Sequence, residues 1–225
     1  MEWLELYKTW VEFYSSLFII FPITMVKDWH RRGSSDGFTY IGLIFGNLMM
    51  ACWTRLAFLK EDATATRFSC FNLFMCLFYF AAFLYFRTEK TQPFKIASVA
   101  AAAFVASCSY VELLQGQEKV ATMAKIAVLA QNLAMIGGLA LAKATYDRKS
   151  SEYVPLGLLV LQTLMVLQRT ILGILTGDVY VAVGFAPGLM LSVVQFSFLY
   201  FYPPLTWRVP IIGTGPTESE EKKSQ

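Results

Sequence analysis

The chain has 225 residues, of which 56% are hydrophobic and 16% are charged, and its formal net charge is +3. Soluble domains carry roughly 25% charged residues, and a chain of this size could not hide so much apolar surface from water. Part of its solvent must therefore be lipid. The basic residues are scattered through the loops and are not massed on one face, so nothing indicates a nucleic-acid partner.

Seven apolar segments follow one another along the chain, and each approximates the length that a helix needs to cross a bilayer. Short charged loops separate them, which leaves no room for a soluble domain between spans. The pattern predicts an all-α integral membrane protein with seven transmembrane helices, at 10–28, 38–58, 68–86, 96–113, 124–143, 156–176 and 180–202.

The orientation follows from the lysines and arginines. The loops after the first, third and fifth predicted spans and the C-terminal tail hold twelve of them, against five on the opposite side. Because basic loops stay cytoplasmic, the N-terminus is predicted to be outside or lumenal and the C-terminus cytosolic.

An internal repeat runs through the spans. The loop sequence that begins Arg31-Arg32-Gly33-Ser34 returns as Arg148-Lys149-Ser150-Ser151, and Phe83-Leu84-Tyr85-Phe86 returns as Phe198-Leu199-Tyr200-Phe201. The copies are an even number of crossings apart, so they point the same way. We predict two parallel three-helix bundles, 10–86 and 124–202, joined by a linker helix at 96–113. Duplicated membrane chains of this kind are typical of small transporters.

The two other segments have simpler predictions. The linker is rich in alanine, and small residues of this kind predict close packing against one bundle. The polar tail, 203–225, is predicted to be disordered.

The loop after the fifth span carries the most specific motif. Lys149-Ser150-Ser151-Glu152-Tyr153-Val154-Pro155 is similar to the K-S-x-E-[FY]-x-P signature of the SWEET sugar facilitators, the MtN3/PQ-loop class. Gly173, Asp178 and Pro187-Gly188 follow at similar spacing, and Ser34-Ser35 and Trp53-Thr54 match weaker motifs in the first half. The chain therefore resembles a divergent member of this family over nearly its whole length.

The resemblance implies passive, bidirectional transport of mono- or disaccharides by alternating access, in a homo-oligomer at the plasma membrane or the Golgi. Family members carry a hinge proline in the first, second, fifth and sixth spans. Pro22 and Pro155 occupy two of these places, and Gly42 and Gly138 occupy the others. A proline or glycine weakens a helix and lets it bend, but the Gly42-xxx-Gly46 spacing also fits simple close packing.

The family's sugar pocket places an asparagine in the third and the seventh span. Asn72 fits the first position, whereas Phe185 occupies the second; Trp53 and Arg169 fall at corresponding places in the pocket wall. Asn72 could instead join helices, Trp53 could be core, and Arg169 could snorkel outward or line a wet vestibule.

No acidic residue is predicted near the middle of a span, since Glu12, Glu112 and Asp178 fall near span ends. This favours passive movement over proton coupling. No phosphate loop, nucleophile motif or histidine–carboxylate cluster is recognisable, so the sequence indicates neither an enzyme nor a metal or organic cofactor.

Two other functions stay open. Phe185 and Arg169 are compatible with a scaffold or regulatory subunit that has lost its substrate, and Arg169 could select a non-sugar solute such as an anion or amino acid. Lys222-Lys223 is either a retrieval signal of the early secretory pathway or part of a solvated tail.

The predicted orientation can be tested with one epitope at each terminus. The experiment uses intact cells if the protein is in the plasma membrane, and sealed vesicles if it is in an internal membrane. Antibody and protease should reach the N-terminal epitope only from the extracellular or lumenal side. The C-terminal epitope should be reached from the cytosolic side only. The reverse pattern would contradict the charge argument.

Overall fold

The computed structural model describes residues 2–36, 38–152, 154, 156–205 and 209. This part of the chain forms nine helices and contains no strand: α1 Glu2–Ile20, α2 Ile23–Arg32, α3 Ile41–Leu59, α4 Ala63–Phe86, α5 Thr91–Glu112, α6 Gly116–Ala134, α7 Ile136–Arg148, α8 Leu156–Leu175 and α9 Val179–Phe201. Since α1–α2 and α6–α7 are each one interrupted span, seven helical stretches are long and apolar enough to cross a membrane. The prediction of an all-α chain with seven spans is confirmed.

Both interruptions have a local cause. Pro22 has no N–H to continue α1 and stands at the start of α2. The hydroxyl of Tyr79 donates to the carbonyl oxygens of Ile19 and Ile20, at 2.8 and 3.2 Å, and so satisfies two groups that the break leaves free. The second interruption falls at Met135, and two successive glycines, Gly137 and Gly138, follow at the second and third residues of α7.

The spans pack as two equivalent bundles, which we call the first bundle (α1–α4) and the second bundle (α6–α9). In the first, α4 packs against both α1 and α3; in the second, α9 packs against α6, α7 and α8. The last span of each bundle thus lies between the other two. Contacts of α3 with α6 and of α1 with α8 join the bundles, so the predicted parallel arrangement of three, one and three spans is confirmed.

The linker helix α5 packs against both α3 and α6, so the expectation that it packs against one bundle is wrong. At its end, the Glu112 carboxylate accepts hydrogen bonds from Arg55 of α3 and Lys119 of α6. Below this charged contact lies a buried apolar cluster: Cys52, Leu56, Val111, Met123, Ala124, Ala127 and Ala130. We call this contact of α3, α5 and α6 the apolar seam.

The repeat is visible in the hydrogen bonds of the two loops that share its sequence. The buried Ser35 hydroxyl donates to the carbonyl of Phe83 at 2.9 Å, and the Ser151 hydroxyl donates to the equivalent carbonyl of Phe198 at 3.3 Å. Their backbone N–H groups also donate to the ends of α4 and α9. Each serine therefore ties the loop before one span to the end of the next.

Two predicted features lie at the limits of what the structure describes. Pro155 is outside the described residues. Of the segment predicted to be disordered, Pro204 and Val209 are buried, and Val209 packs with Val154, Leu159 and Leu199; most of the remaining tail is outside the described residues.

A close contact between α8 and α9 gives a test of this packing. A Cβ added at Gly173 would lie 2.5 Å from the backbone nitrogen of Ala182, whereas one added at Gly157, on the same helix, meets nothing within 4 Å. Gly173→Ala should therefore destabilise the protein by about 1–3 kcal/mol, because backbone must move. Gly157→Ala should be neutral or slightly stabilising. Thermal unfolding in detergent compares the two, and equal stabilities would contradict the predicted close approach.

Candidate functional site

A cavity of about 390 Å³ lies between the two bundles. Its lining reaches from Leu4 and Lys8, near the beginning of α1, to Asn72 in α4 and Gln131 in α6. Side chains from α1, α3, α4, α6, α8 and α9 contribute to it. The cavity thus opens at the end of the bundle where the chain begins and extends inward along the contact between the repeats.

Each of the six bundle spans contributes a polar or aromatic side chain to the inner part of this lining. We call these six the polar–aromatic cluster: Glu12, Trp53, Asn72, Gln131, Arg169 and Phe185. The first three come from the first bundle and the last three from the second.

Arg169 and Glu12 form the charged part of the cluster. The two terminal nitrogens of the guanidinium donate to the two carboxylate oxygens at 2.7 and 2.6 Å, and Nε donates to the hydroxyl of Ser15 at 3.2 Å. The Arg169 side chain is 18% exposed and that of Glu12 only 5%. A bidentate pair satisfies both ions where few waters can do so.

The aromatic part continues from this ion pair across the cavity. The Arg169 guanidinium lies 5.8 Å from the centre of the Phe185 ring, and the Phe185 ring stacks on Trp53 with centroids 5.7 Å apart. The indole N–H of Trp53 then donates to the side-chain oxygen of Gln131 at 3.1 Å. Glu12, Arg169, Phe185, Trp53 and Gln131 therefore form one connected series of contacts between the bundles.

Asn72 lies in the same lining. The residue is 4% exposed, and its buried Oδ1 has no hydrogen-bond partner among the described residues. A buried amide oxygen that receives no hydrogen bond is costly.

Two ion pairs stand at the mouth of the cavity. Lys8 of α1 pairs with Asp62 at 2.6 Å, and Lys60 pairs with Asp178, which joins the first bundle to the second. Burial raises the pKa of Asp62, but hydrogen bonds and charge from Lys8 and backbone N–H groups outweigh it, so this pKa lies below its ordinary value. Asp62 and Asp178 are also equivalent N-caps, of α4 and α9.

The structure brings together the four residues that the sequence assigned to the pocket: Asn72, Trp53, Arg169 and Phe185. Of the predicted hinges, Pro22 lies at the break between α1 and α2, and Gly138 lies just after the break between α6 and α7. Gly42 is the second residue of α3 and stands close to Gly137 of α7.

The structure excludes one of the two alternatives for Arg169 and corrects one expectation about carboxylates. Arg169 does not snorkel outward, because its guanidinium is paired inside the cavity. The pathway also contains a carboxylate: α1 begins at Glu2 and not near residue 10, so Glu12 lies ten residues inside the helix and is buried. The opposite charge of Arg169 was the signal that could have identified it.

No family model matches the chain, and no curated protein matches it. Among solved structures, it is similar to "The 3.7 A resolution structure of a eukaryotic SWEET transporter", with a TM-score of 0.75 and 16% sequence identity. The similarity covers 88% of this chain and 98% of that one.

The chain has a SWEET-like fold. At 16% identity the similarity establishes architecture, and it agrees with the resemblance in the loop motif. The polar–aromatic cluster lies where the two repeats of this fold meet.

The ion pair generates a stability prediction. Glu12→Ala should destabilise the protein by about 2 kcal/mol or more, because a largely buried Arg169 loses its counter-charge. Glu5→Ala, on the same helix but exposed at the mouth, is the matched control and should change stability little. Thermal unfolding in detergent measures both; equal effects would show that the Glu12 pair contributes nothing particular.

Proposed function

We propose that this protein is a membrane transporter that moves a neutral sugar passively, in both directions, by alternating access. The observation that carries the proposal is the polar–aromatic cluster, to which all six bundle spans contribute, at the inner part of a cavity between two repeats. A site at the contact between repeats can face either side of the membrane as the bundles rock.

The chemistry of the cavity fits a sugar. The Trp53 ring, which stacks on Phe185, offers flat apolar surface for the C–H face of a sugar ring. Asn72 offers an unpartnered amide oxygen for a hydroxyl, without the desolvation cost of a charge.

The charges of the cavity favour a neutral solute over an anion. The basic residues of its described lining are Lys8, Lys60 and Arg169, and each is paired with a carboxylate. An anion would have to approach a cation that a carboxylate already neutralises, and this carboxylate would repel it. Both carboxylate oxygens of Glu12 are likewise bonded to Arg169, which supports passive movement even though a carboxylate lies in the cavity.

We further propose that the interrupted spans supply the hinges. The breaks at Pro22 and beside Gly138 lie in the first and fifth spans, which are equivalent in the repeat. The half-spans α2 and α7 lie beyond the cavity lining, so they can move to open or close its inner end. Gly42 and Pro155 remain predicted hinges of the second and sixth spans.

The orientation of the chain, its membrane and its oligomeric state are proposed from the sequence. The N-terminus would be outside or lumenal and the C-terminus cytosolic, in the plasma membrane or the Golgi, and the protein would form homo-oligomers. The cavity mouth would then face the outside or the lumen.

The transport proposal is tested in proteoliposomes with a panel of labelled mono- and disaccharides. The wild-type protein should equilibrate at least one sugar without an ion gradient. Asn72→Ala should reduce its flux at least about tenfold, because a hydroxyl loses its amide partner. Asn132→Ala is the matched control, since that amide is bonded to the carbonyl of Val128 and lies outside the cavity lining.

Folded wild-type protein that moves no sugar would refute the proposal and favour a scaffold that has kept the fold without the substrate. Movement that requires a proton gradient would refute only its passive character. A carboxylate or amino acid that is transported in place of sugars would instead favour the other solute classes.

A further inference from the structure

The Glu12–Arg169 pair is more elaborate than a simple link between two helices requires. Both residues line the cavity, together with Trp53, Phe185 and Asn72. The helices α1 and α8 are in addition joined by hydrogen bonds from Tyr7 to the carbonyl of Gln168 and from Tyr14 to that of Leu161, at 3.3 and 3.2 Å. The charged pair therefore lies on the substrate side of a contact that other groups also hold.

The pair keeps free hydrogen-bonding capacity. A guanidinium has five N–H groups, and the described contacts of Arg169 use three of them, two with Glu12 and one with Ser15. Two N–H groups remain. Each carboxylate oxygen of Glu12 has accepted one bond and can accept another.

The planar geometry of a bidentate pair places a free N–H beside a free carboxylate lone pair. Two neighbouring hydroxyls of a sugar ring present the complementary pattern, because one can accept from the N–H while the next donates to the oxygen. Such bonds are stronger than those of a neutral amide, since both protein groups are charged.

We propose that the Glu12–Arg169 pair binds two adjacent hydroxyls of the transported sugar and determines which sugars are accepted. This inference rests on the proposed sugar transport. Ser15 and the Phe185 ring are positioning groups here: the Ser15 hydroxyl accepts from Nε, and the ring lies under the guanidinium, so the plane of the pair is fixed.

The pair also explains how charge is tolerated next to a neutral substrate. As a unit it carries no net charge, so a sugar does not have to bring a counter-ion. Binding exchanges water on the free edge of the pair for hydroxyls, while the two bonds between the ions stay formed.

The experiment measures competition by monodeoxy sugars against the best transported sugar, in proteoliposomes. For the wild type, removing either hydroxyl of one adjacent pair should weaken competition about tenfold, the loss expected for a charge-assisted hydrogen bond. In the apolar double variant Glu12→Leu/Arg169→Met, this preference should disappear. Sugars that lack other hydroxyls should rank as they do in the wild type.

The charge swap Glu12→Arg/Arg169→Glu is the decisive control. It keeps an ion pair between α1 and α8 but exchanges the places of donors and acceptors. If the pair binds hydroxyls, the swapped variant should be about as stable to heat as the wild type but should rank the deoxy sugars differently. If it only tethers helices, the swap should restore both the flux and the original ranking, which would overturn the proposal.

Three further outcomes also bear on the proposal. Should the double variants not fold, Arg169→Lys keeps the charge but loses the planar donor pair, and an unchanged ranking in that variant would overturn the inference. The inference would also be overturned if the wild type and the apolar variant transported sugar with the same hydroxyl preference. If the wild type moves no sugar at all, the proposed function fails, and this inference fails with it.

Discussion

An arginine inside a membrane-spanning helix needs a counter-charge, and the arrangement of this protein around Arg169 follows from that requirement. The partner, Glu12, lies in the other bundle and in the first span. The bond therefore fixes α1 against α8 at the level of the cavity. It also fixes the guanidinium over Phe185, and through that ring the position of Trp53 and its bond to Gln131. One electrostatic requirement thus organises most of the polar–aromatic cluster.

The two most extensive contacts between the bundles, of α3 with α6 and of α1 with α8, are chemically different. The apolar seam of α3, α5 and α6 is closely packed and is held at its end by Glu112, which bonds both bundles through the linker. The contact of α1 with α8 is made by tyrosine hydroxyls and the Glu12–Arg169 pair. Polar contacts can be exchanged for water or solute, whereas opening an apolar seam next to the cavity would expose apolar surface to water. In the proposed alternating access, this difference would place the pivot on the linker side.

Much of the architecture could be predicted, because it depends on properties that a sequence displays directly. The lengths of the apolar segments predicted seven spans. The repeated loop predicted parallel bundles, and Ser35 and Ser151 occupy equivalent places in them. The pocket residues Trp53, Asn72, Arg169 and Phe185 also converge. Glu12 was missed because the first span begins with charged and aromatic residues, and hydropathy alone places its start too late. The contact of the linker helix with the second bundle was missed, because small residues allow close packing but do not determine which helices are packed against.

The two copies of the repeat differ where the substrate would lie and agree where the backbone must be satisfied. Ser35 and Ser151 bond equivalent carbonyls, and Asp62 and Asp178 cap equivalent helices. Within the membrane a free backbone group is costly in either copy, so both copies keep these devices. The cavity has no such requirement: the first copy contributes Trp53 and Asn72 to its lining, whereas the second contributes Arg169 and Phe185. Each bundle contributes one charged, one amide and one aromatic side chain but places them on different spans, so the two halves of the lining are not equivalent. Such a lining can distinguish the faces of the proposed sugar, which two identical copies could not do.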